Sequence, residues 1–152
     1  MENNFTPKKD YNAPMHTAEH ILNQTMIRMF DCKRSNNTHI EKNKSKCDYI
    51  LASAPTAEQM LALEKRTNEI ISQNLDVTEK LMPLEEAAKL ADTSKLPAGI
   101  DGPLRVIFVG DYDACPCIGA HVENTSEIGR VAISSYDYAD GRLRIRYKLE
   151  SK

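Results

Sequence analysis

The sequence has no tryptophan, no long apolar run and no strong net charge, and these absences narrow the class of protein. No segment approaches the roughly 20 apolar residues of a membrane-spanning helix, so we expect no membrane partner. Residues 1–14 are polar and lack the apolar core of a signal peptide, so we expect a cytoplasmic protein. The formal net charge of −2 gives no overall basic character of the kind that indicates nucleic-acid binding.

The rest of the composition is ordinary for one folded domain. The chain has 152 residues, of which 41% are hydrophobic and 28% charged, enough to bury a core and too apolar for general disorder. It contains no internal repeat and no low-complexity tract. We therefore predict a flexible N-terminal arm over residues 1–14 and a single domain over residues 15–152. The four cysteines are expected as thiols or metal ligands rather than disulfides: Cys32, Cys47, Cys115 and Cys117.

The hydrophobic pattern switches several times between the helical period and the strand period. Helices are predicted from about Met15 or His16 to residue 30, from Thr56 to about residue 73, and over residues 84–90. Strands are predicted over residues 38–41, 47–51, 77–81, 104–109, 130–136 and 142–149. A turn is expected at 110–113 and a loop at 92–103. This order predicts an α+β fold, a largely antiparallel sheet packed with helices.

Two histidines stand four residues apart at the start of the first predicted helix. Residues at this spacing share a helical face, so the imidazoles of His16 and His20 can point at one spot. At about 100° per residue, both fall beside the apolar stripe that includes Leu22 and Met26. We therefore expect both side chains at the edge of the buried face, where they would line a cleft.

A second pair, Cys117 and His121, follows a predicted strand far along the chain. The two pairs together contain three of the chain's 4 histidines. Three imidazoles and one thiolate are donors that zinc prefers. Either pair by itself is more typical of surface histidines and a buried thiol, but both together indicate a site. The spacing leaves open a structural metal, a catalytic metal, or imidazoles that position a water without metal.

These motifs and the residues around them resemble a known family. The segment His-Thr-Ala-Glu-His at 16–20 resembles the HxxxH motif of the alanyl-tRNA synthetase editing domain and its free-standing AlaX-type relatives, a motif shared with the threonyl-tRNA synthetase editing domain. Residues 117–121 resemble their CxxxH motif, and the Asn-Thr at 124–125, the Glu-Ile-Gly at 127–129 and the Arg-Ile-Arg at 144–146 follow in the family's order. The resemblance covers about residues 16–148.

The resemblance implies an editing-domain fold that hydrolyses the ester bond of a mischarged aminoacyl-tRNA in trans. It implies that His16, His20, Cys117 and His121 bind Zn²⁺ and act through a metal-activated water. The implied partner is the acceptor end of an aminoacyl-tRNA, with serine or glycine on alanine tRNA as the expected substrate. Ile118 and Ala120 depart from the family's Cys-Gly-Gly-Thr-His pattern, which concerns amino-acid specificity more than reaction class. Cys115 is an extra thiol that either competes for metal or is inert.

Three alternatives stay open at this stage. His-x-x-Glu-His also matches the inverted zinc-peptidase pattern, with Glu19 as general base, but a Cys-x-x-x-His partner is foreign to that scheme. We therefore expect Glu19 to be a partner-bonded structural residue. A non-catalytic, metal-stabilised RNA-binding module would carry the same motifs, as would an editing-fold hydrolase of another substrate.

The last predicted strand has a cationic face. Alternating charges on a strand are usually its solvent-exposed side, but this face also offers weak contacts to tRNA phosphates. The candidate contacts are Arg142, Arg144 and Arg146.

Overall fold

The structure is a computed structural model that describes residues 12–35, 37–41, 43–90, 103–117 and 119–150. Within these ranges the helices are α1 (Ala13–Phe30), α2 (Ala57–Ile71) and α3 (Leu84–Leu90). The strands are β1 (Asn37–Ile40), β2 (Ser45–Ile50), β3 (Val77–Met82), β4 (Leu104–Val109), β5 (Asp113–Pro116), β6 (Arg130–Ala139) and β7 (Arg142–Glu150). A short 3₁₀ helix spans Thr125–Glu127. The predicted loop at 92–103 lies outside the described residues except for its last position.

The described strands form two antiparallel sheets, ordered β1-β2-β7-β6 and β3-β4-β5. The helices α1 and α2 share one core with the four-stranded sheet, in which Leu22 and Leu63 lie with Tyr49, Ile145 and Tyr147, all without exposed surface. A second, smaller core joins α3 to β3 and β4. The predicted α+β class with antiparallel pairing is therefore confirmed.

Helix α1 begins two residues before the earliest predicted start. The side chain of Asn12 accepts a hydrogen bond from the Met15 N–H at 3.2 Å and caps the helix. Pro14 lies in the first turn, where its missing N–H leaves no bond unmade. Residues 13 and 14 thus belong to the helix rather than to the predicted arm, and residues 1–11 of that arm lie outside the described residues. The helix ends at Asp31, whose left-handed backbone (φ 54°) closes the last turn.

Strand β5 was missed by the sequence analysis, which placed Asp113 in a turn. The strand pairs antiparallel with β4, the middle strand of its sheet, so that Ile107 faces Cys115. Its sequence Asp-Ala-Cys-Pro has no β-branched or aromatic residue, so no local propensity indicates a strand. Because Cys117 follows β5 directly, this strand determines where the second motif lies.

The two last predicted strands, β6 and β7, pair as an antiparallel hairpin, and β6 runs to Ala139, three residues beyond its predicted end. Asp140 (φ 53°) and Gly141 (φ 77°) make the two-residue turn, with the positive φ angles that match the strand twist. On β7, the apolar set of Leu143, Ile145 and Tyr147 is fully buried, as the alternation predicts. None of the described helices is long and apolar enough to cross a membrane.

Candidate metal centre

The structure brings the four predicted ligands together. One donor atom from each of His16, His20, Cys117 and His121 lies within 4.8 Å of the others. Successive turns of α1 supply the first two side chains, and the loop after β5 supplies the other two. His16 and His20 are only 8% and 2% exposed, so both are buried within α1 rather than at the predicted edge of its buried face.

The distances among these side chains fit a tetrahedral metal site. The Sγ atom of Cys117 lies 3.3 Å from Nε2 of His16 and 3.5 Å from Nε2 of His121. With Zn–S of about 2.3 Å and Zn–N of about 2.0 Å, the N–S edge of a zinc tetrahedron is about 3.5 Å. The ring of His20 lies 4.5 Å from the ring of His121 between centroids. The donor types therefore fit Zn²⁺, as do the two Sγ–Nε2 distances, whereas the set as a whole spans up to 4.8 Å.

Burial sets the protonation of the four candidate ligands. Desolvation lowers the pKa of His16 and lowers that of His20 well below its ordinary value. Desolvation, followed by the neighbouring charge of His16, lowers the pKa of His121 to about 3. Burial raises the pKa of the Cys117 thiol to about 11, against the hydrogen bond from the Gly119 N–H. At neutral pH the imidazoles are neutral, the form that binds metal, while the thiol needs a nearby cation to ionise.

Thr17 connects the two motifs through one hydroxyl group. Its Oγ1 donates to the Ala13 carbonyl oxygen at 3.1 Å, which uses its single proton. It therefore accepts from Nδ1–H of His121 at 2.9 Å and from the Val122 N–H at 3.2 Å. With Nδ1 protonated, the lone pair of His121 is on Nε2, the atom that faces Cys117.

Two further residues shape the loop that carries the second motif. A Cβ atom at Gly119 would overlap the imidazole of His16, so only glycine fits this position. Arg105 donates from one guanidinium nitrogen to the carbonyl oxygens of Cys117 at 3.0 Å and Gly119 at 2.8 Å. The opposite side of that guanidinium is bonded to Glu79 at 2.9 Å. The sequence analysis missed Arg105, because its distance of 12 residues from Cys117 is no local motif.

Asp113 is another functional candidate that sequence reasoning missed. Its side chain is fully buried and accepts from both guanidinium nitrogens of Arg34, at 2.8 and 3.1 Å. Gln24 of α1 donates to the same carboxylate at 2.9 Å. Oδ2 of Asp113 lies 3.6 Å from Nδ1 of His20.

One carboxylate oxygen of Glu19 is held by neighbours, while the other faces His20. Its Oε2 accepts from Asn23 at 2.8 Å and from Thr38 at 3.2 Å. Asn23 in turn accepts from the hydroxyl of Tyr49 at 2.7 Å, within the core. Oε1 of Glu19 lies 3.9 Å from Nε2 of His20. Glu19 is therefore partner-bonded, as predicted, and its structural role stays a prediction.

Cys115 lies outside the group of four ligands. Its thiol donates to the Pro116 carbonyl oxygen at 3.4 Å, and burial raises its pKa to about 12. Cys115 was expected either to compete for metal or to be inert, and its position favours the second.

The three arginines proposed for tRNA contact lie on β7, and none belongs to the group of four. Arg144 donates to both carboxylate oxygens of buried Asp48, at 2.8 and 3.0 Å. Arg146 pairs with Asp137 at 3.0 Å, and both side chains are largely exposed. Arg142 is exposed at the end of the strand. The cationic face is therefore partly neutralised by carboxylates.

Comparison with known proteins places this site in a family context. Residues 104–146, which include Cys117 and His121, match the family described as the threonyl and alanyl tRNA synthetase second additional domain. An alanine–tRNA ligase of Treponema denticola is 30% identical over 137 residues, 89% of this chain and 23% of the ligase. An alanine–tRNA ligase of Campylobacter jejuni is 31% identical over 125 residues, 82% of this chain and 15% of the ligase.

The chain thus spans less than a quarter of the length of these ligases, and the similarity covers most of the chain itself. The resemblance to the alanyl-tRNA synthetase editing-domain family, which the two motifs predicted, is confirmed.

Proposed function

We propose that this chain hydrolyses the ester bond of mischarged aminoacyl-tRNA in trans, with Zn²⁺ held by His16, His20, Cys117 and His121. Serine or glycine on alanine tRNA is the proposed substrate, and the cytoplasm the proposed location. One observation carries the proposal. Donor atoms from two motifs about a hundred residues apart meet within 4.8 Å, in a chain related to alanine–tRNA ligases.

The chemistry of the site suits this reaction. Bound at these donors, zinc would act as a Lewis acid toward water or the ester carbonyl, which requires a fifth coordination position or the release of one protein ligand. An aminoacyl ester is an activated acyl compound, so a positioned water and some charge stabilisation are sufficient. The neutral imidazoles and the Cys117 thiolate would hold the ion, and Thr17 keeps the tautomer of His121 in which Nε2 carries the free lone pair. Arg105 fixes the carbonyl groups of the loop that carries the second motif.

The proposed partner is the acceptor end of an aminoacyl-tRNA. A net charge of −2 favours weak and transient contact over tight nonspecific binding. Among the three candidate arginines, Arg146 is the best placed, because its exposed pair with Asp137 is readily exchanged for a phosphate. Arg144 is committed to a buried carboxylate, which gives it a structural role.

The test is deacylation of a panel of charged tRNAs by the zinc-loaded chain. Serine and glycine on alanine tRNA are compared with alanine on the same tRNA, which should be spared. We expect release of serine or glycine well above spontaneous hydrolysis, and loss of this release when a chelator removes the metal.

Two results contradict the proposal. Bound zinc without hydrolysis of any ester in the panel assigns the chain to the non-catalytic, metal-stabilised RNA-binding modules. Hydrolysis of small aminoacyl esters with no activity on any charged tRNA assigns it to the editing-fold hydrolases of another substrate.

A further inference from the structure

A buried carboxylate stands behind the second histidine of the first motif. Nδ1 of His20 is buried and makes no hydrogen bond within the part of the chain that the structure describes. The polar atom of Asp113 that faces it, Oδ2, is 3.6 Å away. Both side chains are sealed from solvent, with 3% of the His20 side chain and none of the Asp113 side chain exposed. A buried imidazole nitrogen left without a bond is costly, so this pair calls for a functional explanation.

The carboxylate of Asp113 is fixed in direction by two neighbours. Oδ1 accepts from Arg34 at 2.8 Å and from Gln24 at 2.9 Å, whereas Oδ2 accepts from Arg34 at 3.1 Å. A carboxylate oxygen has more than one lone pair, so Oδ2 keeps the capacity to accept from the imidazole. Because the guanidinium occupies both oxygens, the carboxylate is arranged as a hydrogen-bond acceptor rather than as a metal ligand.

The placement of Asp113 in the chain links this carboxylate to both motifs. It is the first residue of β5, and Cys117 follows the last residue of that strand. Gln24, which holds the carboxylate, lies one turn after His20 on α1. The strand and the helix that supply the four ligands are therefore tied together at a second point, behind those ligands.

We propose that Asp113 is a positioning residue for the metal centre, which accepts a hydrogen bond from Nδ1–H of His20 and so directs Nε2 of His20 at the ion. This inference rests on the proposed zinc site. A histidine that binds metal commonly donates its other ring N–H to a carboxylate, which fixes the tautomer and raises the basicity of the ligand. A small inward shift of the His20 ring turns the 3.6 Å approach into that bond.

The geometry also argues against the other arrangement of His20, in which Nδ1 would bind the ion and Nε2 would carry the proton. An ion on Nδ1 of His20 would lie against Asp113 and recruit it as a ligand in competition with Arg34. On the other side of the ring, Oε1 of Glu19 is 3.9 Å from Nε2, beyond hydrogen-bonding distance. Nε2 is therefore left for the metal.

The test compares zinc affinity in variants matched for the loss of an ion pair to a buried carboxylate. The double variant combines Asp113→Asn with Arg34→Gln, so that no unpaired guanidinium is left buried. The control is Asp48→Asn together with Arg144→Gln, which likewise removes a buried carboxylate and the arginine that makes two bonds to it, on β2 and β7. Chelator competition measures the affinity for Zn²⁺, and circular dichroism checks that each metal-free variant is folded.

We expect the double variant to bind zinc about 10- to 100-fold more weakly than the unaltered chain, and the control to bind it unchanged. Two-bond ¹H–¹⁵N correlation spectra of the zinc-loaded, unaltered chain should show His20 protonated on Nδ1. Unchanged affinity in the double variant, or a proton on Nε2 of His20, would overturn the role of Asp113 while leaving zinc binding intact. An unaltered chain that binds no zinc would overturn both this inference and the proposed function. The tautomer measurement needs no variant, so it decides the matter even if the double variant does not fold.

Discussion

The hydroxyl of Thr17 lies 2.9 Å from Nδ1 of His121, so a residue inside the first motif orients the last residue of the second. The same oxygen is bonded to the Ala13 carbonyl and to the Val122 N–H. One side chain thus ties the start of α1 to the chain segment that follows the second motif. The side chains of the two motifs form one connected cluster, so a substitution in one motif should alter the position of the side chains in the other.

Thr17→Val tests this connection. The variant keeps the shape of the side chain but removes the acceptor for His121 and Val122. We expect zinc affinity to fall about 10- to 100-fold, because the tautomer of His121 is no longer fixed. We also expect a loss of roughly 1–3 kcal/mol in the free energy of unfolding, since a buried donor is left unpaired. Chelator competition and urea titration measure the two effects.

Thr17→Ser is the matched control, because serine keeps the hydroxyl. It should retain most of the zinc affinity. If serine and valine weaken binding equally, the methyl group matters rather than the hydrogen bond.

Gly119→Ala should disable the metal centre. The new Cβ would overlap the imidazole of His16, and the loop is held on its other side by Arg105. Either the ring or the loop must move, and both carry ligands. We expect zinc binding and deacylation to be lost while the metal-free fold persists, as read by metal content and circular dichroism.

Gly141→Ala is the control for Gly119→Ala, and it should lower stability without changing zinc content. A Cβ at Gly141 meets only the Leu51 carbonyl oxygen, at 3.8 Å, but the backbone there has φ +77°. Alanine in this left-handed conformation costs about 1–2 kcal/mol of stability. Zinc content should stay normal. Equal zinc content in the two variants would mean that the close approach at Gly119 is not what shapes the site.

The sequence predicted both halves of the metal site because each half is a local pattern. His16 and His20 needed only the helical period, and Cys117 and His121 needed only their spacing after a strand. What brings the halves together was not predictable in this way. It depends on β5, whose residues carry no strand propensity and which forms because β4 offers it an edge.

The polar supports were missed for a related reason. Asp113 reads as a turn residue until Arg34, 79 residues away, is placed beside it. Asp48 is 1% exposed and bonded to Arg144, which lies 96 residues away in the chain. The tertiary fold brings such partners together, and a short segment of the sequence does not contain both of them.

Arg144→Gln should lower the stability of the fold. The hydrogen bond from Arg144, helped by that from Asn37, holds the pKa of the Asp48 carboxyl below its ordinary value. This pair contributes stability that is complete above the unfolded pKa of about 3.9 and is lost as the pH falls through the lower folded value. We expect the variant to have a lower urea midpoint at pH 7 and a shallower loss of stability below pH 4. A midpoint equal to that of the unaltered chain would argue against this structural role.

Arg146→Gln should act on substrate binding instead. Its pair with Asp137 is exposed and contributes little to stability, so the urea midpoint should not change. If Arg146 contacts a phosphate, KM for charged tRNA rises several-fold, and the slope of log affinity against log salt falls by about one. An unchanged KM and salt slope would assign Arg146 to solvent.

The most direct test of the central claim compares two thiols that are two residues apart. Cys117→Ala removes a proposed ligand, whereas Cys115→Ala removes a thiol outside the group of four. Zinc content and hydrolysis of serine from alanine tRNA are measured on both variants and on the unaltered chain. We predict that Cys117→Ala stays folded but loses bound zinc and hydrolysis together, while Cys115→Ala keeps both. Full zinc content and full activity in Cys117→Ala would contradict the metal centre, and with it the proposed function.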